Sequence, residues 1–448
     1  MKKRWLTIGA AMLLAGVGNA YGWSLKEAAA PYKGETITVV GLERPSYVAA
    51  QKLTPEFEKE TGIHVKWDIY PYESTLKAEM LNFVSNSQEY DVVLTDVVWP
   101  VTFVDGGWVL PVKHFLDDSK LRDPDIDIKD FFPIWLASFT VNGKLYGLPF
   151  DSYSGLLYYN KSMFKAAGID NPPKTWNELK SDAEKLTDKS KNIYGYALQS
   201  ALGETQTCDS FARFLWPWGG RFINTSTHKV LVNDQKSING IEFRQNLMKY
   251  MPPGIVSDDH AQVVQLLTQK RVAMITEWSA FYTTLKHSAI GNELGIAPEP
   301  KGPYGAYAAF GGFAYMVSAQ VPVKRQNAAW LFVQWLTSKK MAMPLIEDGA
   351  VVARKKADTS PEVQEKAPYL KTMTYTWEHA TVPNFRPQLS CYPRFSTIVS
   401  DWGTKIMLSG NVKSGLNGMQ KTLTDYMKAS HCWEHTNAPQ KYISRYEK

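Results

Sequence analysis

Two short stretches set charge where an α/β protein holds its ligands, and one of them adds an aromatic face. In Asp91-Val92-Val93-Leu94-Thr95-Asp96-Val97-Val98-Trp99, an apolar run ends in an acidic residue and, three residues on, an indole. A carboxylate accepts hydrogen bonds from two hydroxyls, and a flat amphipathic ring suits the face of a sugar. The second stretch, Gly41-Leu42-Glu43-Arg44-Pro45, follows the apolar run Thr36 to Val40. Its Glu43–Arg44 pair reads equally as a ligand contact or a solvated turn. Signatures of catalysis are missing: there is no G-x-S-x-G, no H-E-x-x-H, no phosphate loop and no G-x-G-x-x-G. Nothing in the pattern asks for a cofactor. Reversible capture of a hydroxylated solute fits these residues better than bond making.

The elements around them alternate. Thr36–Val40 reads as a strand, followed by a helix through Phe57 that stops at Gly62, then a strand Val65–Ile69. A helix with Leu76, Met80 and Val84 at helical spacing leads to the strand Asp91–Leu94. Strands alternating with helices indicate a mostly parallel sheet covered on its faces. Ligands of open sheets sit beyond the carboxyl ends of the strands, where both stretches fall. After a hairpin signal at Asn142-Gly143, Tyr146 to Leu179 reads as an extended run, a turn and a helix. That helix opens on the capping box Thr175-x-x-Glu178 and buries Leu179, Ala183 and Leu186. The strand-like Ile193–Leu198, a helix through Leu266 and Leu267, and a strand ending at Trp278 repeat the theme.

The chain has 448 residues, 44% hydrophobic and 21% charged, enough for two domains. Lys2, Lys3 and Arg4 precede an apolar run to Val17 and the small-residue pattern Gly18-Asn19-Ala20. This predicts a secretory signal peptide over 1–20, cut after Ala20 or as late as Gly22. The run is shorter than the roughly 20 residues of a membrane-spanning helix, and no Cys follows it to carry a lipid. Half of the formal charge of +6 leaves with those three residues, and no basic run follows, which excludes nucleic acid as a partner.

Three Cys stand at 208, 391 and 432. Two helices follow Cys391, one with Phe395, Ile398, Val399, Trp402 and Ile406 on a face, the other with Leu416, Met419, Leu423 and Met427. The short link Ser409-Gly410-Asn411 makes them antiparallel neighbours. Cys391 enters the pair and Cys432 leaves it, so both lie at one end, and a Cys391–Cys432 disulfide with Cys208 free is expected. The competing reading of His431-Cys432-Trp433-Glu434-His435 is a metal site at i, i+4 spacing; it needs a helix running past residue 430, and no metal is expected.

Gly147-Leu148-Pro149, Leu157-Tyr158-Tyr159-Asn160-Lys161, Ala166-Ala167-Gly168-Ile169 and Pro172-Pro173-Lys174-Thr175-Trp176-Asn177-Glu178-Leu179, in this order, resemble the solute-binding proteins of carbohydrate ABC importers. That family includes the maltose-binding protein. The resemblance implies a two-lobed α/β periplasmic-binding-protein fold of type II, with three hinge crossings and a ligand cleft between the lobes. Lobe one would comprise 21–150 with 312–348; lobe two, 151–311 with 349–448 and its terminal helix pair. The crossings would lie at Asp151–Gly155, at Gly311-Gly312 and near Asp348-Gly349-Ala350.

For the cleft, the resemblance implies Asp151 and Tyr153 at the first crossing, and one of Trp216 and Trp218 as a stacking face. It adds Glu277 and Trp278 at a strand end, and Arg386, Gln388 and Tyr392 in a cleft-lining segment; Gly311 and Gly312, at the second crossing, are further ligand-binding candidates, where backbone can approach the ligand closely. Partners would be a small polyhydroxylated solute and a membrane permease, with ATPase subunits acting indirectly; the chain would work as a monomer in the periplasm. Asp96, Asp151 and Glu277 leave a glycoside hydrolase with paired carboxylates as an alternative class. A glycerol phosphate is the alternative ligand. Phosphate favours clusters of Arg or helix N-termini, and the cleft offers only Arg44, Arg221 and Arg386, so a neutral sugar or sugar alcohol is expected.

Overall fold

The computed structural model describes residues 22–434; the expected signal peptide and His435 lie outside them. Strand β1 (Thr36–Leu42) runs through helix α1 (Pro45–Thr61) to β2 (His64–Tyr70), then through α2 (Tyr72–Ser85) to β3 (Val92–Asp96). β1 pairs parallel with β2 and with β3. Gly62 stops α1 with φ 71°, a left-handed turn that glycine takes without strain.

The face of α2 differs from its apolar spacing. Val84 is 72% exposed, whereas Thr75, Glu79 and Asn82 are buried. Polar groups take the inner face with one oxygen each of Glu79 and Asn82 hydrogen-bonded, while Glu79 Oε2 and Asn82 Nδ2 have no partner. Leu94 N donates to Glu79 Oε1 at 2.6 Å, and Asn82 Oδ1 accepts from Ser87 and Glu89 N.

The molecule is organised on β4 (Leu148–Asn160), a 13-residue strand that serves two sheets. On the far side of β4 the chain forms α3 (Trp176–Leu186), β5 (Tyr194–Ala197), a π-helix (Gln206–Ala212), α4 (His260–Thr268), β6 (Val272–Trp278) and β7 (Leu294–Pro298). The capping box of α3 is made as expected, and Leu179, Ala183 and Leu186 are buried. β8 (Phe310–Val317) then returns to the first sheet. The strand order is β2-β1-β3-β8-β4-β6-β5, with β7 also on β4.

Pairing shows where β4 changes partners. Residues up to Ser154 pair antiparallel with β8, and those from Gly155 onward pair with β6 and β7. Gly155 sits at the switch because a Cβ there would lie 1.7 Å from Glu299 Oε1. The two halves of one strand thus belong to two lobes.

Helices α5 (Val323–Leu336) and α6 (Lys339–Glu347) follow β8 and pack on the first lobe. The chain does not leave that lobe at Gly349. Arg354 donates to the carbonyls of Thr337, Ile126 and Asp127, and Phe132 N donates to Ala353 O. Further on, α7 (Tyr369–His379) packs on β7 and β4.

Helices α8 (Tyr392–Ser409) and α9 (Val412–Ala429) form the terminal pair, turning at Gly410 with φ 72°. Phe395, Ile398, Val399, Ile406, Leu416, Met419, Leu423 and Met427 are buried as their spacing requires. Cys391 and Cys432 form a disulfide with Cα atoms 5.6 Å apart, and Cys208 is free and buried. No described helix is long and apolar enough to cross a membrane.

Candidate ligand-binding site

The carboxyl ends of β1, β2 and β3 supply one wall. Tyr72, first residue of α2, stacks on Trp99 with centroids 5.6 Å apart and 17° between planes, and meets Phe313 of β8 edge-on at 6.0 Å. The Arg44 guanidinium, half-buried, stands 5.2 Å from the Phe313 centroid and just under 6 Å from those of Tyr72 and Tyr153. These are cation–π distances. Glu43 is not part of this wall. Its side chain is exposed, while its backbone N–H donates to Tyr70 O. Position 43 therefore turns outward as the chain bends into α1.

Beneath Arg44, Asp151 is fully buried and accepts from Ser46 Oγ at 2.5 Å and from Tyr153 OH. Burial raises the Asp151 pKa, opposed by the nearby Arg44 charge and by the Ser46, Tyr153 and Tyr47 hydroxyls. Burial likewise holds the Tyr153 phenol well above its ordinary value, with the Asp151 charge adding to it.

The centre of the seam is an ion bridge. Arg386 donates through Nη2 to Asp96 Oδ1 at 2.9 Å and through Nη1 to Glu204 Oε1 at 2.8 Å, a fork engaged at both prongs. Asp96 also accepts from Tyr72 OH at 2.8 Å, and Glu204 from Tyr392 OH and Ser396 Oγ, each at 2.5 Å. Asp96 belongs to the first lobe; Glu204 precedes the π-helix of the second. Gln388 ties the same segment to the first lobe through the carbonyls of Val97 and Ser138, and Trp216 Nε1 ties it to the second through Phe385 O. Asp96, Trp99, Tyr153, Arg386 and Tyr392 are each no more than 4% exposed, so the lobes are closed on each other.

On the second lobe, Glu277, next to last in β6, orders a buried polar chain. It accepts from Gln199 Nε2 and from Trp278 N, and lies 3.0 Å from His260 Nδ1. Asp209 of the π-helix pairs with Arg213 at 3.2 Å, and Arg213 pairs with Glu299 at 3.1 Å. Burial opposes the His260 charge, but Glu277 and Asp209 outweigh it and raise the pKa. Trp278 is half-buried. At Gly311 a Cβ would stand 3.0 Å from both the Trp278 ring and Arg386 Nη2, so the missing side chain lets those groups converge. A Cβ at Gly312 would lie 2.5 Å from Asp151 O, a contact of backbone with backbone rather than with a cleft.

The tryptophan pair separates. Trp218 packs among Phe243, Phe214 and Trp176 with centroids 4.6–6.2 Å away, inside the second lobe. Trp216 lies at the seam against Phe385, its face covered by the Arg221 guanidinium at 3.8 Å. Arg386 and Tyr392 reach the site, but their polar groups bind the protein itself.

Several site groups escaped the sequence reading: Tyr72, Glu204, Asp209 and His260. Tyr72 was within reach of the strand-end rule, because it follows β2 as Arg44 follows β1. The others had no such signal. A π-helix carries Asp209 into the seam; wider helical turns of this kind occur frequently at functional sites.

Residues 41–343 match the family model for bacterial extracellular solute-binding proteins. A probable ABC transporter-binding protein of Deinococcus radiodurans is 31% identical over 62% of this chain and 66% of its own. The erythritol/L-threitol-binding protein of Mycolicibacterium smegmatis is 24% identical over 70% of this chain and 69% of that one. Among solved structures, an ABC transporter solute-binding protein of Agrobacterium radiobacter K84 in complex with ribitol is 26% identical. It covers 88% of this chain and 99% of its own, with a TM-score of 0.80.

Proposed function

This chain belongs to the bacterial extracellular solute-binding protein family, and on that premise we propose that it captures a sugar or sugar alcohol for an ABC importer. The family consists of binding proteins, not catalysts, which removes the hydrolase alternative. The observation carrying the ligand class is the seam itself. An aromatic wall of Tyr72, Trp99 and Phe313 with Arg44 belongs to one lobe, and His260, Asp209 and Trp278 belong to the other. A solute touching both sets favours closure, because only the closed form makes both sets of contacts. The relatives named for erythritol/L-threitol and solved with ribitol support a polyol.

Closed around its solute, the protein docks on a membrane permease whose ATPase subunits drive import. Export through the expected signal peptide places it in the periplasm as a monomer.

A phosphorylated polyol is the second reading, favoured by Arg44, which makes no ion pair among the described residues. Against it, the carboxylates Asp96, Asp151, Glu204, Asp209, Glu277 and Glu299 outnumber Arg44, Arg213, Arg386 and His260. A dianion would add to a surplus of negative charge in a poorly screened site.

Thermal-shift screening tests this, since a ligand that binds only the native state raises its melting temperature. Erythritol, ribitol, mannitol, maltose and glycerol 3-phosphate form the panel. A shift with a neutral member, abolished in Trp278→Ala, is expected. A shift with glycerol 3-phosphate alone favours the second reading, and no shift with any member refutes the class.

A further inference from the structure

The hydrogen-bonding capacity of the seam is almost entirely used by the protein. Asp96 is filled by Arg386, Tyr72 and the Val98 N–H, and Glu204 by Arg386, Tyr392 and Ser396. Asp151 Oδ2 and Arg386 Nε are buried without a partner, and three further groups stand apart. The Arg44 guanidinium makes no hydrogen bond among the described residues; the rings of Tyr72, Tyr153 and Phe313 stand around it, with the Asp151 charge nearby. Asp209 Oδ2 has one near neighbour, His260 Nε2, at 3.7 Å, which is too far for a hydrogen bond. That Nε2 is the third group.

The imidazole is held in place. Its Nδ1 lies 3.0 and 3.2 Å from the two Glu277 oxygens, and its ring stacks on Phe281 at 5.5 Å. Its side chain is 28% exposed, while those of Asp209 and Glu277 are 3% and 0%. His260 is therefore where this buried polar chain reaches the open.

We propose that His260 and Asp209 form a hydroxyl clamp on the second lobe, facing Arg44 on the first, and that the clamp works only with a proton on Nε2. A ligand hydroxyl seated between the two residues accepts from Nε2–H and donates to Asp209 Oδ2; a second hydroxyl accepts from Arg44. The clamp deepens the function proposed above and rests on it.

The proton requirement follows from Glu277. A carboxylate offers no hydrogen to Nδ1, so Nδ1 carries its own. In the neutral ring Nε2 is then a lone pair, and a hydroxyl donating to it would turn its oxygen toward the Asp209 carboxylate. Only the imidazolium gives the clamp a donor. The charges facing it are Glu277 from β6, Asp209 from the π-helix, with Arg213 behind, and Arg44 from the end of β1. Asp259, which caps α4, is turned to Gln262. Glu277 and Asp209 hold the imidazolium to a higher pH than an ordinary histidine, against burial and Arg44. Affinity is therefore full below that raised pKa and falls as pH rises through it.

Calorimetric titration of the full processed chain with ribitol and with D-mannitol, at about pH 6 and about pH 9, decides this. Wild type should bind about tenfold more weakly at the higher pH, the worth of one charge-assisted hydrogen bond. His260→Gln keeps an N–H near the Nε2 position and does not titrate, so it should bind alike at both pH values. Glu277→Gln, acting through His260, should move the midpoint to lower pH. His260→Ala should lose about tenfold at the lower pH, with far-ultraviolet dichroism and ligand-free melting confirming its fold. A wild-type affinity independent of pH, or His260→Ala matching wild type, overturns the clamp and leaves the transport function standing. Failure of the wild type to bind any neutral member of the panel overturns both.

Discussion

Replacing Arg386 with Ala should open the seam. In the closed form this side chain, 4% exposed, joins Asp96 at 2.9 Å to Glu204 at 2.8 Å. Removing one partner of a buried ion pair costs roughly 3–5 kcal/mol, because the other charge is left without compensation. Here each carboxylate keeps other donors: Tyr72 OH and Val98 N for Asp96, Tyr392 OH and Ser396 Oγ for Glu204. The loss should fall at the lower end, about 3 kcal/mol. In an open form both carboxylates regain water, so the loss falls on closure rather than on the fold of either lobe. Ligand affinity should then drop about a hundredfold, with little change in the urea midpoint. Arg386→Lys should recover only part, since an ammonium lacks the planar fork that reaches both partners. Calorimetry gives the affinity, and small-angle scattering gives the radius of gyration of the ligand-free protein. An unchanged affinity together with an unchanged radius would refute the bridge as a closure contact.

Other perturbations test the scaffold. Cys391→Ser with Cys432→Ser removes a link closing 41 residues, and urea denaturation should show a loss of about 3–4 kcal/mol; an unchanged midpoint would contradict a structural role. Gly155→Ala forces Glu299 away from a Cβ that would stand 1.7 Å from its oxygen, separating it from Arg213, and should cost about 3 kcal/mol by the same denaturation. Glu79 is fully buried with Oε2 unpartnered, and burial raises its pKa well above the ordinary carboxylate value, opposed by the Leu94 N–H. The folded protein thus holds a proton that the unfolded chain releases, so this contribution to stability is present at low pH and is lost as pH rises through the folded pKa. Denaturation midpoints of Glu79→Gln should lack that decline; a parallel pH profile in mutant and wild type would contradict it.

Much of the architecture was legible because local patterns agree with it. The capping box at Thr175 and Glu178, the glycine stop at Gly62 and the helix faces before and after Gly410 each rest on short-range physics. The disulfide followed from those helix faces, since an antiparallel pair brings Cys391 and Cys432 to one end. Val84 misled because hydrophobic spacing ignores polar side chains that the fold buries with a hydrogen bond to one of their oxygens, as it does Glu79 and Asn82.

The site was legible only in part. Strand ends pointed to Asp96, Trp99 and Arg44 because a sheet sends its ligands there. Whether a named group stays available is decided by long-range pairing, and no local pattern contains that. Arg386 and Tyr392 reach the seam but are committed to Glu204, 182 and 188 residues away in sequence. His260, first residue of α4, and Asp209, on the π-helix, come together from separate elements, and neither stands in a motif. Trp216 and Trp218 are two residues apart, yet one meets the seam and the other the lobe core.

Titrating the processed chain with ribitol and with glycerol 3-phosphate side by side tests the central claim most directly. Saturable one-to-one binding of the neutral polyol, with the phosphate bound far more weakly or not at all, is the predicted result. Tight binding of the phosphate with none of the polyol would contradict a cleft built for uncharged hydroxyls.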